Sequence, residues 1–183
     1  MPSLPEITPP TFPTLNTITT PIIHLIFGPQ GAGKTTYLRQ LADRSACTRF
    51  SIDDCMSELF SPDITRPLSF PWVIERVARC EKRIWAVACD VARQGGNVAL
   101  DLGFMKAASR AKFAALANSE GLPTQWHYIT TPHELRKSRV MTRNANPGET
   151  FSFEVTPGMF DFMETQFEAP TAAELATCVM QQV

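Results

Sequence analysis

The sequence has no Cys-x-x-Cys pair, and its cysteines are odd in number and widely spaced. The five are Cys47, Cys55, Cys80, Cys89 and Cys178. A zinc site or a disulfide scaffold needs closely spaced or paired cysteines, so neither is expected. This usage favours a reducing cytoplasm, with the five thiols acting as small apolar side chains.

Excess positive charge and long apolar runs are also missing. The chain carries 17 Lys and Arg against 18 Asp and Glu, a formal net charge of -1. That balance argues against non-specific electrostatic binding of nucleic acid, although a local basic binding site is still possible. No apolar stretch is long enough to span a bilayer, and no basic region followed by an apolar core begins the chain. Neither a membrane span nor a secretory signal is therefore expected.

The chain is long enough for one domain with a full core, since it has 183 residues of which 44% are hydrophobic. Residues 1–20 are rich in Pro and Thr, a composition that interrupts helices and strand pairing. We expect this segment to be a mobile, extended tail, with docking on the domain or on a partner as the alternative. Residues 21–183 then form the domain.

One glycine-rich stretch fits the pattern G-x-x-x-x-G-K-[ST] of the phosphate-binding P-loop: Gly28-Pro29-Gln30-Gly31-Ala32-Gly33-Lys34-Thr35. Its glycines let backbone N–H groups surround phosphate oxygens, and the following helix directs its positive end at the same oxygens. Lys34 is placed to reach the β- and γ-phosphates, and the Thr35 hydroxyl to ligate Mg²⁺. The apolar run 22–27 before the loop and the helical spacing from Thr36 to Ala42 supply the strand-loop-helix context. The alternative is a glycine turn that happens to carry a lysine.

Acidic residues follow two further predicted strands. Residues 48–52 read as a second strand ending in Asp53 and Asp54, and residues 97–102 as a third strand that ends in an acid, Asp101. Carboxylates at the C-terminal ends of parallel strands lie in the crevice where ligands bind in open α/β sheets. Asp53 or Asp54 could instead cap the helix that begins near residue 55, and both roles can hold at once, one Asp for each.

The rest of the pattern predicts helices over 72–94, 106–119, 133–142 and 156–167, a fourth strand over 124–130 and a final strand within 174–180. The helix after the fourth strand is basic, and Arg139 and Arg143 share one of its faces because they are four residues apart. Two guanidinium groups on one face suit bidentate contact with phosphate, while an ordinary solvated helix end is the alternative. His24, His127 and His133 have no partner at a telling spacing, so we interpret them as structural.

The motifs, taken in order, resemble the small AAA-type ATP-binding proteins of the P-loop kinase group. These are relatives of phage polynucleotide kinase, zeta toxin, chloramphenicol phosphotransferase and gluconate kinase. The segments that carry the resemblance are residues 28–36, Ser51-Ile52-Asp53-Asp54, Leu100-Asp101-Leu102-Gly103-Phe104 with Arg110, and Arg139-Val140 with Arg143-Asn144.

The resemblance implies a P-loop NTPase three-layer sandwich: an α/β fold whose parallel five-stranded sheet has the order 2-3-1-4-5, with a small helical lid at about residues 136–155. It implies that ATP and Mg²⁺ are the cofactors and that Asp53 acts as base on an acceptor hydroxyl. It also implies that Arg139 and Arg143 close over the phosphates. Met56 stands where the polynucleotide kinase has an arginine, which favours a small-molecule acceptor over a nucleic-acid end.

The sequence therefore predicts a phosphotransferase to an alcohol group. Lys34, Asp53, Arg139 and Arg143 are its expected catalytic residues, and residues 28–36, including Thr36, bind the nucleotide. Thr35 and Asp101 are the expected metal ligands, with Asp101 alternatively contacting the acceptor. The alternatives are an NTP-hydrolysing switch or ATP-binding module, and a nucleic-acid end kinase.

Overall fold

The computed structural model describes residues 20–64, 69–145 and 155–183. A helix or a group of helices separates each strand from the next, and a 3₁₀ turn at Ser61–Asp63 follows the second helix. In chain order the elements are β1 Ile23–Phe27, α1 Lys34–Ser45, β2 Cys47–Ser51, α2 Ile52–Phe60, α3 Phe70–Arg93, β3 Asn97–Asp101, α4 Ala107–Glu120, β4 Thr124–Thr130, α5 His133–Ala145, α6 Pro157–Gln166, α7 Ala172–Leu175 and β5 Val179–Gln182.

The strands form one parallel sheet in the order β2-β3-β1-β4-β5, which confirms the order that the resemblance implies. The central strand β1 is buried along its whole length, as a strand covered on both faces must be. All five strands run the same way, so their C-terminal ends share one edge of the sheet. The P-loop follows β1 at that edge.

Helices cover both faces of the sheet. On one face, α3 and α4 pack through residues such as Ile84, Trp85 and Phe113 against Leu25, Phe27 and Leu100. On the other face, α1 packs through Tyr37, Leu38 and Leu41 against Ile26 and Ile129. The result is the three-layer α/β sandwich, with the P-loop between the central strand and α1. None of the helices in the described ranges is long and apolar enough to span a bilayer.

The structure differs from the sequence-based prediction at the end of β2 and in part of the C-terminal region. Strand β2 ends at Ser51, and Asp53 and Asp54 lie in the first turn of α2, so the prediction that Asp53 ends the strand is wrong. The final strand lies at Val179–Gln182, after a short helix at Ala172–Leu175, rather than within 174–180. The expected tail, except for residue 20, lies outside the described residues.

A chain of three polar side chains lies between the sheet and α1. His24 Nδ1 on β1 is 2.9 Å from His127 Nε2 on β4, and His127 Nδ1 is 2.9 Å from the Tyr37 hydroxyl on α1. A neutral imidazole has one N–H and one lone pair, so His127 can donate to one neighbour and accept from the other. Both histidines are buried. Burial, followed by the charge of His24, lowers the pKa of His127 to about 4.

We expect this histidine to make the fold acid-sensitive. Its pKa falls from 6.5 unfolded to about 4 folded, so the unfolded chain binds more protons between these values. Stability from neutral His127 is complete above pH 6.5 and is lost as the pH falls towards 4. The difference between the two pKa values of His127 corresponds to an upper bound of about 3.4 kcal/mol. The free energy of unfolding of the parent, from urea titrations at pH 7 and pH 4, should therefore fall more than that of His127→Gln. His133→Gln, which removes an exposed histidine, is the control and should follow the parent. Equal losses in all three proteins would contradict this role of His127.

Candidate active site

The P-loop leaves β1 through a residue that has to be glycine. Gly28 has a φ of 155°, and a Cβ at this position would lie 2.1 Å from the Ile129 carbonyl oxygen of the neighbouring strand. Gly31 has a φ of 75°, and its Cβ would lie 2.8 Å from the Arg136 carbonyl oxygen of α5. Left-handed backbone and missing side-chain space both favour glycine here. The loop is thus held between β4 and α5.

Helix α1 begins with its first backbone N–H groups open to a ligand. Gly33 is the N-cap residue, with a φ of 94° and no side chain to cap the helix. Helix N-termini without a cap leave N–H donors that suit an anion. Lys34 Nζ donates to the carbonyl oxygens of Gly28 (3.1 Å) and Pro29 (3.2 Å), so the ammonium folds over its own loop. Thr35 is half-buried and Thr36 is exposed in the same turn.

Asp53 lies beside the P-loop, although on a helix and not on the strand. Its side chain is exposed at the mouth of the site, yet protein atoms crowd its other sides. The resulting desolvation raises its pKa, and the Lys34 charge opposes that shift. The neighbouring Asp54 raises the same pKa, and Arg143 lowers it. The carboxylate is therefore within electrostatic reach of two of the predicted phosphate-binding cations, Lys34 and Arg143.

The residue that caps α2 is Ser51, and the prediction that Asp54 or Asp53 caps it is wrong. The Ser51 hydroxyl accepts a hydrogen bond from the Asp54 backbone N–H at 3.2 Å. A serine N-cap leaves both aspartate side chains free of capping, and their negative charges suit the positive end of the helix. The capping serine brings Asp53 into the first turn, facing the site.

Asp101 ends β3 as the sequence predicts, and it lies opposite Ser51 in the register of the sheet. Its carboxylate is buried. Desolvation raises its pKa to about 6, against the lowering effect of Lys34, while Asp53 raises it further and a hydrogen bond from the Gly103 backbone lowers it. The Lys34 charge therefore offsets only part of the effect that burial and the neighbouring Asp53 have on the pKa of Asp101. Oxygen donors such as Asp101 and the Thr35 hydroxyl are the ligands that Mg²⁺ prefers, so these residues fit a magnesium ion held together with phosphate.

Of the two predicted lid arginines, the structure places Arg143 in the site. Arg143 is half-buried in α5, its charge acts on Asp53, and its Nε is buried without a hydrogen-bond partner among the described residues. A guanidinium donor left open in this way fits an anionic ligand. Arg139, one turn earlier, is exposed, and its side chain makes no hydrogen bond or ion pair within the ranges that the structure describes.

The middle of the predicted lid, residues 146–154, lies outside the described residues. Its two flanks are joined by one side chain. Asn144 Nδ2 donates to the Val155 carbonyl oxygen at 2.7 Å, and the Val155 N–H donates to Asn144 Oδ1 at 3.1 Å. The end of α5 that carries Arg143 is therefore fixed to the chain that leads into α6.

Sequence reasoning missed the side chains that support the P-loop from behind. Arg136 is buried, and it bonds to Thr131, Gln30 and Glu164. The sequence showed Arg136 only as one cation of a basic helix, and no periodic pattern links it to Glu164, 28 residues further on. A basic residue one turn before Arg139, on a helix next to a P-loop, was the only signal available.

An apolar cavity of about 450 Å³ lies between α4 and residues 171–178, with Trp126 and Cys178 among its lining residues. Arg110, the remaining residue of the resemblance, forms part of its wall. Its guanidinium is paired with Glu174 and with the carbonyl oxygens of Phe104 and Glu168, so most of its donors, and its charge, are already engaged within the protein. We therefore place the candidate active site at the P-loop and not in this cavity.

Residues 23–170 match the model of a family described as an AAA domain. A candidate kinase from Chloroflexus aurantiacus has the same fold, with a TM-score of 0.69 and 14% identity over 90% of this chain and 89% of that chain. Kti12 from Chaetomium thermophilum, solved in complex with ADP-AlF3, has a TM-score of 0.65 and 15% identity over 88% of each chain. A gluconokinase from Sinorhizobium meliloti has a TM-score of 0.54 and 15% identity over 90% of this chain and 83% of that chain. The comparison with curated proteins found no match.

Proposed function

The chain belongs to the AAA-domain family, and on this basis we propose that it is an ATP-dependent phosphotransferase that moves the γ-phosphate of ATP to a hydroxyl group of a small molecule. The observation that carries the proposal is the position of Asp53. It is an exposed carboxylate next to the P-loop, and the charges of Lys34 and Arg143 both act on it. A hydroxyl compound can approach such a group from outside.

Each group has a role in this reaction. Backbone N–H groups of residues 28–36 and the Lys34 ammonium bind the phosphates, and Thr35 and Asp101 would hold Mg²⁺. That ion, when bound, would neutralise part of the phosphate charge. Asp53 orients the acceptor hydroxyl and takes its proton, a step that its raised pKa favours because a more basic carboxylate is the better acceptor. Arg143 and Arg139 stabilise charge on the phosphoryl group in transfer.

The names of the structural neighbours agree with this chemistry. Two are described as kinases, and the Kti12 structure contains ADP-AlF3. The neighbours share too little sequence to carry over an acceptor, so the acceptor class rests on the site itself. Met56, in the first turns of α2, adds no positive charge beside Asp53 for a second, nucleic-acid phosphate.

The second candidate is a protein that hydrolyses ATP and switches shape. The exposure of Asp53 favours it, since water can reach the carboxylate as readily as an alcohol. The two reactions differ in their product.

A screen for ADP release across antibiotics, sugars, nucleosides and oligonucleotide ends, followed by mass spectrometry, separates them. A phosphotransferase gives ADP in proportion to one acceptor and a product heavier by one phosphate. ADP release that is equal in every well, without a phosphorylated product, would support the switch instead. A phosphorylated oligonucleotide end would support an end kinase.

Arginine substitutions on α5 test the charge stabilisation. Arg143→Ala, and Arg139→Ala with it, should lower kcat by about 10²-fold while ATP affinity changes less, because the contact forms mainly in the transition state. Steady-state kinetics and calorimetric ATP binding measure the two quantities. Lys137→Ala is the matched control, because it removes a cation of the same helix that is paired with Asp161. If ATP affinity collapses while kcat holds, the arginines bind the ground state and the assigned role is wrong.

A further inference from the structure

Arg136 connects three parts of the molecule through one buried guanidinium. Its Nε donates to the Thr131 carbonyl oxygen at 3.0 Å, and its Nη1 donates to the Gln30 carbonyl oxygen of the P-loop at 3.0 Å. The same group forms a two-pronged pair with Glu164 of α6, Nη1 to Oε1 at 2.5 Å and Nη2 to Oε2 at 2.6 Å. The side chain of Arg136 is 7% exposed and that of Glu164 is 23% exposed.

We propose that Arg136 is a positioning residue for phosphate binding, that it fixes the orientation of the Gln30–Gly31 peptide in the P-loop, and that Glu164 holds it in place. The inference deepens the proposed function and rests on it only in taking the ligand of the loop to carry phosphate. Arg136 itself does not touch the ligand.

The planarity of the peptide bond gives the mechanism. In a trans peptide the C=O and the N–H point in opposite directions. The Gln30 carbonyl oxygen is drawn towards α5 by Arg136, so the Gly31 N–H of the same peptide points away from α5, towards the side on which a phosphate would lie. Without Arg136 this peptide can rotate, and the N–H donor is then lost to the phosphate.

A second contact acts on the next peptide but one. The Thr131 hydroxyl lies 3.1 Å from the Ala32 carbonyl oxygen and 2.8 Å from the Val183 carbonyl oxygen. Its one proton is shared between these two acceptors, and the contact with Ala32 directs the Gly33 N–H in the same way. The Ala32 N–H itself is used within the loop, where it donates to the Pro29 carbonyl oxygen at 3.3 Å. The segment 131–136 therefore holds the two alternate carbonyl groups, and the two N–H groups that they orient remain available to a phosphate.

Glu164 explains how an arginine can be buried at this point. A buried guanidinium without a counter-charge is strongly unfavourable, and the two-pronged carboxylate pair satisfies it while leaving Nη1 also directed at Gln30. Lysine could not replace it, because a single ammonium lacks the planar fork that reaches Gln30, Thr131 and Glu164 at once. The geometry of α6 is thereby linked to the geometry of the P-loop.

The experiment measures binding of inorganic pyrophosphate by calorimetry at a temperature at which every variant is folded. Pyrophosphate engages only the phosphate site, so its affinity reports the loop and needs neither an acceptor nor transfer. Arg136→Met should weaken it by about 10- to 100-fold, the loss expected for charge-assisted hydrogen bonds in the ligand site. Lys137→Met is the matched control, since it removes one positive charge and one α5–α6 ion pair without contact to the P-loop, and it should stay within about twofold.

A double variant guards against simple misfolding, because Arg136→Met leaves Glu164 without its partner. Arg136→Met with Glu164→Met removes both charges together and should recover thermal stability while pyrophosphate binding remains weak. Three results would overturn the proposal: parental pyrophosphate affinity in the double variant, an equal loss in Lys137→Met, or no pyrophosphate binding by the parent. If the parent binds pyrophosphate and no acceptor is ever phosphorylated, the transferase proposal fails while the role of Arg136 is still decided by the variants.

Discussion

Asp53→Asn should bind ATP as the parent does and transfer phosphate about 10²–10⁴-fold more slowly, the range that general-base catalysis contributes. The amide keeps the size of the side chain but cannot take the acceptor proton. Asp53 is exposed in the first turn of α2, so the substitution disturbs no core packing. The loss should appear in kcat, because the missing proton transfer belongs to the transition state.

Asp54→Asn is the matched control for this variant. It makes the same chemical change one residue on, and its backbone N–H, which donates to Ser51, is retained. Asp54 acts on the pKa of Asp53 only as a neighbouring charge, so its loss of transfer should be the smaller one. Transfer rates and calorimetric ATP affinities for both variants give the comparison. Parental transfer by Asp53→Asn would rule out Asp53 as the base and would bring the hydrolytic switch forward.

The parts of the fold that the sequence predicts are those fixed by local pattern. Short-range rules predict the strand before the P-loop, the glycines and the following helix. The structure explains the glycine at position 28, because any side chain there would clash with the backbone of β4. The strand order came from the resemblance and not from the pattern, since pairing between β1 and β3 joins residues far apart in the chain.

The errors near Asp53 have a specific physical cause. Ser51 can end a strand and cap a helix at once, because an N-cap residue has extended backbone angles, here a φ of -121° and a ψ of 133°. The sequence therefore reads as strand up to the residue at which the helix begins. This shifts Asp53 from the strand to the helix, while its place beside Lys34 is kept.

The contacts that support the P-loop could not be predicted from the sequence, for a different reason. The pairing of Arg136 with Glu164 depends on where α6 returns to the domain after residues 146–154, and no spacing rule connects two helices across such a segment. Tertiary ion pairs of this kind leave only one trace in a sequence, a charged residue on the side of a helix that ought to be buried.

Lys34→Ala should remove most of the stabilisation that ATP-Mg²⁺ gives to the protein. A ligand at 100 times its Kd stabilises the native state by about 2.7 kcal/mol, which for a domain of this size raises Tm by about 5–10 °C. Lys34 carries the charge that should face the β- and γ-phosphates, and in the structure its Nζ is held at the loop by the Gly28 and Pro29 carbonyl oxygens. If its removal weakens binding 100-fold, the same ATP concentration stabilises the variant by only about 0.4 kcal/mol.

Thermal shift assays with and without ATP-Mg²⁺ measure this difference. Lys34 is half-buried at the start of α1 and outside the hydrophobic core, so the variant should fold, and its Tm without ligand should lie close to that of the parent. Lys112→Ala is the control, since Lys112 is an exposed lysine on α4 paired with Glu81, and it should show the full ligand-induced shift. Equal shifts in Lys34→Ala and the parent would mean that the nucleotide does not bind through this loop, and the assignment of the active site would fail with it.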